Sequence, residues 1–160
     1  MSLNVLVWDL ETIPDLKGFA AANGHDGKSD EEIRAAMGDR FPKHLYHSII
    51  CIGALVAHRD NDHWVVDALG APHVGERSEK ELITSFVNRI AELNPQLVTF
   101  NGPSFDLPVL RYRAMMHAVA APVSRHVHIS IVTPTTQSTC VTFSPRLARQ
   151  QKRLCMRSVA

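Results

Sequence analysis

Four short apolar segments of the chain predict β-strands. The first covers residues 3–9, and the almost unbroken apolar run at 49–56 has the pattern of a strand covered on both faces. A polar turn follows that run and leads to apolar residues 64–66, which indicates a hairpin. Residues 96–100 form the last of the four segments. The chain therefore contains the strands of a small sheet.

Three further segments have the spacing and capping residues of helices. The clearest spans residues 78–93, where Ser78 and Glu81 form a capping box. Its apolar stripe repeats at helical spacing and consists of Leu82, Ile83, Phe86, Val87, Ile90 and Leu93. A shorter helix is predicted over 29–37, and another over about 104–116. Because strands and helices alternate along the chain, the predicted fold class is α/β.

Composition adds the expectation of one globular core. The chain has 160 residues, of which 45% are hydrophobic. No segment approaches the ~20 apolar residues that cross a bilayer, and the opening apolar run is too short and too acidic for a signal peptide. The chain has three cysteines, an odd number, and they lack the spacing of a metal site. We therefore expect a reduced, cytoplasmic protein.

Charge divides the chain into two unequal parts. Residues 1–107 contain all sixteen acidic residues and nine basic ones, a net charge of −7, whereas residues 108–160 contain eight basic residues and no acid, a net charge of +8. The basic part could be a nucleic-acid-binding arm, or a stretch that did not evolve with the rest. Since helical and strand periodicity also fades after Pro122, we expect residues 122–160 to form an irregular basic tail.

Two acidic residues lie one residue apart in the first predicted strand. Residues i and i+2 of a strand point to the same face, so Asp9 and Glu11 should project side by side from its end. Adjacent carboxylates repel each other unless a cation lies between them, and their oxygens suit Mg²⁺ or Mn²⁺. The alternative is a strand end whose acids face water. Asp106 is a third candidate, although an acid in the first turn of a helix is also favourable without a metal.

The residues around these acids resemble a known family. Trp8-Asp9-Leu10-Glu11-Thr12 and Asn101-Gly102-x-x-Phe105-Asp106 are similar to the first two motifs of the DEDD superfamily of 3′–5′ exonucleases. The closer resemblance is to stand-alone bacterial proteins akin to the proofreading exonuclease domain of family B DNA polymerases. It covers roughly residues 3–121. The resemblance implies a ribonuclease H-like fold, in which a mixed sheet with an antiparallel hairpin is flanked by helices. It also implies that residues 1–121 form an incomplete exonuclease domain.

The resemblance also implies roles for individual residues. Asp9, Glu11 and Asp106 would be the catalytic residues and the ligands of two Mg²⁺ or Mn²⁺ ions. The residues that would contact the substrate are Thr12, Asn101 and Phe105. The implied substrate is a single-stranded or frayed 3′ end of nucleic acid, whose phosphodiester is hydrolysed by a two-metal mechanism.

This chain departs from the family in its last third. The family has a third motif, a Tyr or His followed by a final Asp, and the chain has no acid after Asp106. A weak or absent activity is therefore expected. Two explanations remain open: a frameshift or truncation near Pro122, or a non-catalytic nucleic-acid-binding module with a basic tail. A phosphatase with an Asp nucleophile fits less well because Glu11 occupies its second motif position, and His126 and His128 are a chance pair rather than ligands.

Overall fold

A computed structural model describes residues 4–120, together with the backbone of residues 129–132 and 139–141. Within these described ranges the chain forms six strands: β1 (Asn4–Pro14), β2 (His47–Asp60), β3 (His63–Gly70), β4 (Gln96–Phe100), β5 (Ile129–Val132) and β6 (Thr139–Val141). The helices are α1 (Leu16–Asn23), α2 (Asp30–Met37), α3 (Glu79–Leu93) and α4 (Asp106–Met116), and a 3₁₀ turn covers His44–Tyr46. All four predicted strands and all three predicted helices are present.

The strands form one mixed sheet in the order β3-β2-β1-β4-β5-β6. β1 pairs antiparallel with β2 on one side and parallel with β4 on the other, so it is an inner strand. β2 and β3 form the predicted antiparallel hairpin. β5 runs parallel to β4, and β6 runs antiparallel to β5. The α/β, ribonuclease H-like class predicted from the sequence is confirmed.

The core lies where alternating residues of β1 meet the apolar stripe of α3. Leu6, Trp8 and Leu10 are buried, whereas the residues between them face outward. The rings of Trp8 and Phe86 are 5.0 Å apart. The predicted stripe of α3 is correct: its first four members are buried and its last two are partly buried against the same cluster, which consists of Leu82, Ile83, Phe86, Val87, Ile90 and Leu93.

Local capping chemistry explains where the predicted helices begin. The Ser78 and Ser29 side chains each accept a hydrogen bond from the backbone N–H three residues on, and the Glu81 and Glu32 carboxylates each accept one from the backbone N–H of the capping serine. Both predicted capping boxes are therefore confirmed. Asn94 caps the C-terminal end of α3. Its backbone is in the left-handed conformation, which asparagine tolerates better than most residues.

Two features differ from the prediction. β1 does not end at residue 9 but continues to Pro14, because its pairing with β2 continues to His47 and outward-facing acids do not interrupt a half-exposed strand. Helix α1 was not predicted. Asp15 caps its start by accepting a hydrogen bond from the Gly18 N–H, and Leu16 and Ala20 pack against Ile33 of α2 in a small second core.

No helix in the described part of the chain is long and apolar enough to cross a membrane. The cytoplasmic location and the division into residues 1–121 and 122–160 remain predictions. Apart from the backbones of β5 and β6, the expected basic tail lies outside the described residues, as do His126 and His128.

Candidate functional site

The first two candidate carboxylates lie on the outward face of an inner strand. Asp9 and Glu11 are exposed and share one face of β1, as the i, i+2 spacing predicted. They lie in the middle of the strand rather than at its end. On β2, Asp9 is opposite Gly53 and Glu11 is opposite Cys51. The ladder with β2 therefore fixes the backbone of both residues, whereas the pairing of β1 with β4 covers only residues 5–7.

A β-bulge follows Glu11 directly. Glu11 pairs with Cys51 and the next residue, Thr12, pairs with Ile49, so Ile50 of β2 is an extra residue in the ladder. Bulges commonly re-aim side chains next to active sites. Here the bulge separates the two exposed carboxylates from Thr12, whose hydroxyl contacts His47 instead.

The third carboxylate reaches the same region from the neighbouring strand. β4 is parallel to β1, with Val7 level with Val98, so the chain leaves β4 at the edge toward which β1 also runs. After a short turn, Asp106 begins α4 with only 3% of its surface exposed. The Thr99 hydroxyl of β4 donates a hydrogen bond of 3.0 Å to its Oδ2.

The electrostatics of Asp106 link it to Asp9. Burial raises the pKa of the Asp106 carboxyl above its ordinary value, and the Asp9 charge raises it further. Hydrogen bonds from Thr99 and from the backbone, including that of Leu10, act in the opposite direction. The fold thus brings Asp9 and Asp106, 97 residues apart in the sequence, close enough to repel each other.

These two carboxylates fit a divalent cation by their chemistry. Both offer hard oxygen donors, and their repulsion is the kind that a bound cation relieves. In the described ranges, however, no group of three or more His, Cys, Asp or Glu side chains lies close enough to hold a metal ion. Glu11 instead lies beside Cys51, whose half-buried thiol has a pKa raised by burial and then by the Glu11 charge.

The turn before Asp106 explains the spacing of the second motif. Asn101 has a φ of 54°, a left-handed conformation that asparagine tolerates better than most residues. Gly102 packs against Thr99 so closely that a Cβ atom would collide with the threonine side chain. The Leu107 N–H then bonds to the Gly102 carbonyl at 2.9 Å. Asn101 and Gly102 therefore shape the backbone that delivers Asp106.

His47 is a site residue that the sequence did not single out. Its Nε2 lies 3.2 Å from the Pro42 carbonyl and its Nδ1 lies 3.1 Å from the Thr12 hydroxyl. Because a carbonyl only accepts, Nε2 carries the proton, and in the neutral ring Nδ1 accepts from Thr12. Burial lowers the pKa of His47, which favours that neutral form. No spacing or motif in the sequence signals this contact.

Phe105, predicted to contact substrate, belongs to a group of four rings. The rings of His47, Phe41 and His44 lie 5.0, 5.5 and 5.9 Å from it. We call Phe41, His44, His47 and Phe105 the aromatic cluster. Phe105 is half-buried within it, whereas Phe41 is largely in solvent. The cluster adjoins Asp106 through the chain and Thr12 through His47.

An ion-pair network fixes the far end of α4. Arg113 is 5% exposed; its Nη1 lies 2.5 Å from Asp15 Oδ2, and its Nε lies 2.7 Å from Glu79 Oε1. Glu79 also accepts hydrogen bonds from the Ile49 N–H at 2.6 Å and from His117 Nε2 at 2.8 Å. Burial alone would raise the pKa of Glu79, but these bonds outweigh it and lower the pKa. The network joins α1, α3, α4 and β2.

Comparison with known proteins gives one result. No curated protein matches the chain. A family model described as a predicted 3′–5′ exonuclease related to the exonuclease domain of PolB matches residues 39–130. The matched span includes the aromatic cluster, Asn101 and Asp106, and it begins after Asp9 and Glu11. Because it covers more than half of the chain, the chain belongs to this family of predicted 3′–5′ exonucleases.

Proposed function

We propose that this site hydrolyses phosphodiesters at single-stranded or frayed 3′ ends of nucleic acid, with Mg²⁺ or Mn²⁺ as cofactor. The observation that carries the proposal is the buried Asp106 carboxyl at the start of α4, whose pKa is raised by burial and further by the charge of Asp9, an acid from the other motif. A carboxyl whose pKa is raised by burial together with a second acid is typical of functional sites. Membership of the exonuclease family supports the same reading.

Asp9, Glu11 and Asp106 would be the protein ligands of two ions. When bound, the ions would supply an activated water and stabilise the leaving oxygen. Asp9 and Asp106 would meet the same cation, because the Asp9 charge already raises the pKa of Asp106. Glu11 would have to turn from Cys51 toward Asp9, a side-chain movement that an exposed residue can make at little cost.

Thr12, Asn101 and Phe105 would hold the terminal nucleotide. The Thr12 hydroxyl donates to His47, which leaves its oxygen free to accept a hydrogen bond from a terminal 3′-hydroxyl. Phe105 would contribute an apolar contact through the aromatic cluster. Asn101 is exposed at the mouth of the turn, where its side-chain amide can reach a phosphate or sugar.

We further propose that this particular chain is a poor catalyst. Three carboxylates provide three negative charges for two ions that carry four positive charges, and the sequence has no acid after Asp106. A loosely held nucleophile costs ~10²-fold or more in rate. The nucleotide sequence around codons 118–126 tests the frameshift explanation, because a shifted frame should restore a Tyr-x-x-x-Asp.

A non-catalytic nucleic-acid-binding module is the second candidate. Two observations favour it: the net charge of +8 over residues 108–160, and the lack of a three-residue metal cluster in the described part of the chain. Such a module would bind nucleic acid with a steep salt dependence and would cleave nothing, with or without Mn²⁺.

The deciding experiment is digestion of a labelled oligonucleotide by the full chain at high enzyme concentration. We expect slow shortening from the 3′ end with Mn²⁺, no shortening with chelator, and none in an Asp9→Ala, Glu11→Ala double variant. The matched control is Asp60→Ala, Asp62→Ala, which removes the exposed acid at the end of β2 and the one in the turn that follows, and it should keep the parent rate. Activity that survived in the Asp9, Glu11 variant would reject the proposed site.

A further inference from the structure

Phe41 exposes an aromatic ring beside the site. It has 72% of its surface in solvent, although its ring lies 4.9 Å from that of His47 and 5.5 Å from that of Phe105. Because most of the Phe41 surface is in solvent, these two contacts leave much of the ring open. A phenylalanine in this position extends the aromatic cluster outward into solvent.

The segment that carries Phe41 is anchored to the site. His47 donates from Nε2 to the carbonyl of Pro42, the next residue after Phe41. The other nitrogen of the same ring accepts from Thr12, directly after the carboxylates of β1. Phe105, the other ring that contacts Phe41, directly precedes Asp106 in the sequence. Phe41 is therefore held between the two acidic motifs.

Two cations flank this ring in the sequence. Arg40 and Lys43 are exposed, and across residues 4–120 neither forms an ion pair. An aromatic ring between cations is the combination that binds single-stranded nucleic acid, in which bases stack and phosphates pair with basic side chains. An apolar peptide or a lipid would gain nothing from the adjoining carboxylates, whereas a nucleotide bridged by cations would.

We propose that Phe41 stacks on an unpaired base at the 3′ end of the strand while Arg40 and Lys43 contact its phosphates. The inference rests on the proposed function, whose site the stacked base would enter. Every nucleobase has a π-face and Phe41 has no hydrogen-bonding group, so the stack accepts all four bases. A paired terminal base is already stacked in its duplex, and the site therefore favours frayed or single-stranded ends.

The test measures binding without hydrolysis. The full chain, in chelator, is titrated into two fluorescent single strands that differ only at the 3′ end: one has a natural terminal base and the other an abasic sugar. Phe41→Ala should weaken binding of the first strand about 5- to 150-fold, the range for one lost base stack, and leave the second nearly unchanged. Leu69→Ala, on edge strand β3, is the control because Leu69 is 78% exposed.

A second pair of variants reports the stack directly. In Phe41→Trp the indole should be quenched by the strand with the terminal base and not by the abasic one, while Leu69→Trp should respond to neither. An equal loss of affinity for both strands in Phe41→Ala would overturn the proposal, and so would a Trp at position 41 whose fluorescence is not quenched. Base-dependent quenching without Mn²⁺-dependent cleavage would support stacking on Phe41 and contradict the proposed exonuclease activity. Cleavage without quenching would support the exonuclease activity and overturn the stacking proposal.

Discussion

Arg113 binds both carboxylate oxygens of Glu79 across the interface between α4 and α3. Nε lies 2.7 Å from Oε1 and Nη2 lies 2.5 Å from Oε2, a bidentate geometry inside the protein. Arg113 is seven residues after Asp106, two turns along the same face of α4. The pair therefore fixes the helix whose first residue carries the third carboxylate of the site.

We expect Arg113→Ala to lower the free energy of unfolding by about 3–5 kcal/mol, because it leaves Glu79 and Asp15 buried without their cation. Urea denaturation measures the change. The control is Arg89→Ala on α3, which breaks an exposed pair with Glu92 and should cost less than about 1 kcal/mol. A loss in Arg113→Ala as small as the one expected for the control would show that the buried network does not stabilise the fold.

The pH dependence of stability should include a contribution from Glu79. Its pKa in the folded chain is lowered from the ordinary 4.5, so the folded state favours the ionised form. That stability is fully present above pH 4.5 and is lost as the pH falls through the lower folded pKa. Glu79→Gln should flatten the acid limb of a plot of melting temperature against pH. Glu92→Gln, an exposed change on the same helix, should preserve it.

Asp106 should behave in the opposite sense. Its pKa is raised in the folded chain, so stability is lost as the pH rises from the ordinary 3.8 through the higher folded pKa, and the loss is complete above it. We expect Asp106→Asn to raise the melting temperature at neutral pH in chelator while it abolishes Mn²⁺-dependent cleavage. Asp62→Asn, in the exposed β2–β3 turn, should change neither. A destabilised Asp106→Asn protein would contradict this account of the site.

Gly102 should be intolerant of any side chain. A Cβ atom there would collide with Thr99, whose hydroxyl bonds to Asp106, so the turn or the threonine would have to move. We expect Gly102→Ala to cost about 1–3 kcal/mol, the usual range for overpacking. Gly53→Ala is the control: its Cβ would meet only the Asp9 carbonyl, at 4.0 Å.

Metal binding should be weak in this chain. With three candidate carboxylates and no later acid, calorimetric titration with Mn²⁺ should give at most one weak site, and that site should disappear in Asp9→Ala. Two tight sites with rapid turnover would mean that a further residue, or a second chain, completes the ligand set.

Local chemistry explains which elements were predictable. The two capping boxes, the stripe of α3 and the alternation in β1 depend on residues a few positions apart, which periodicity detects. The prediction that Asp9 and Glu11 share a face succeeded for the same reason. Strand β1 was predicted too short, because its last residues are stabilised by pairing with β2 rather than by an apolar pattern of their own.

Long-range contacts explain what was missed. Arg113 and Asp15 are 98 residues apart, and no periodic pattern joins them. The aromatic cluster likewise combines residues 41–47 with Phe105, and only the family motif drew attention to Phe105. Helix α1 has eight residues and depends on its packing against α2. Tertiary context produced each of these features.

The inner position of β1 determines how the site responds to damage elsewhere. Asp9 and Glu11 lie in the long antiparallel ladder between β1 and β2, and β1 is also paired with β4 at residues 5–7. The amides of such core strands usually exchange their hydrogens only when the whole domain unfolds. A destabilising substitution far from the site should therefore leave the spacing of the carboxylates intact in every folded molecule. Its effect would be to reduce the number of folded molecules, so the total activity of a preparation would fall while the turnover of each active molecule stayed constant.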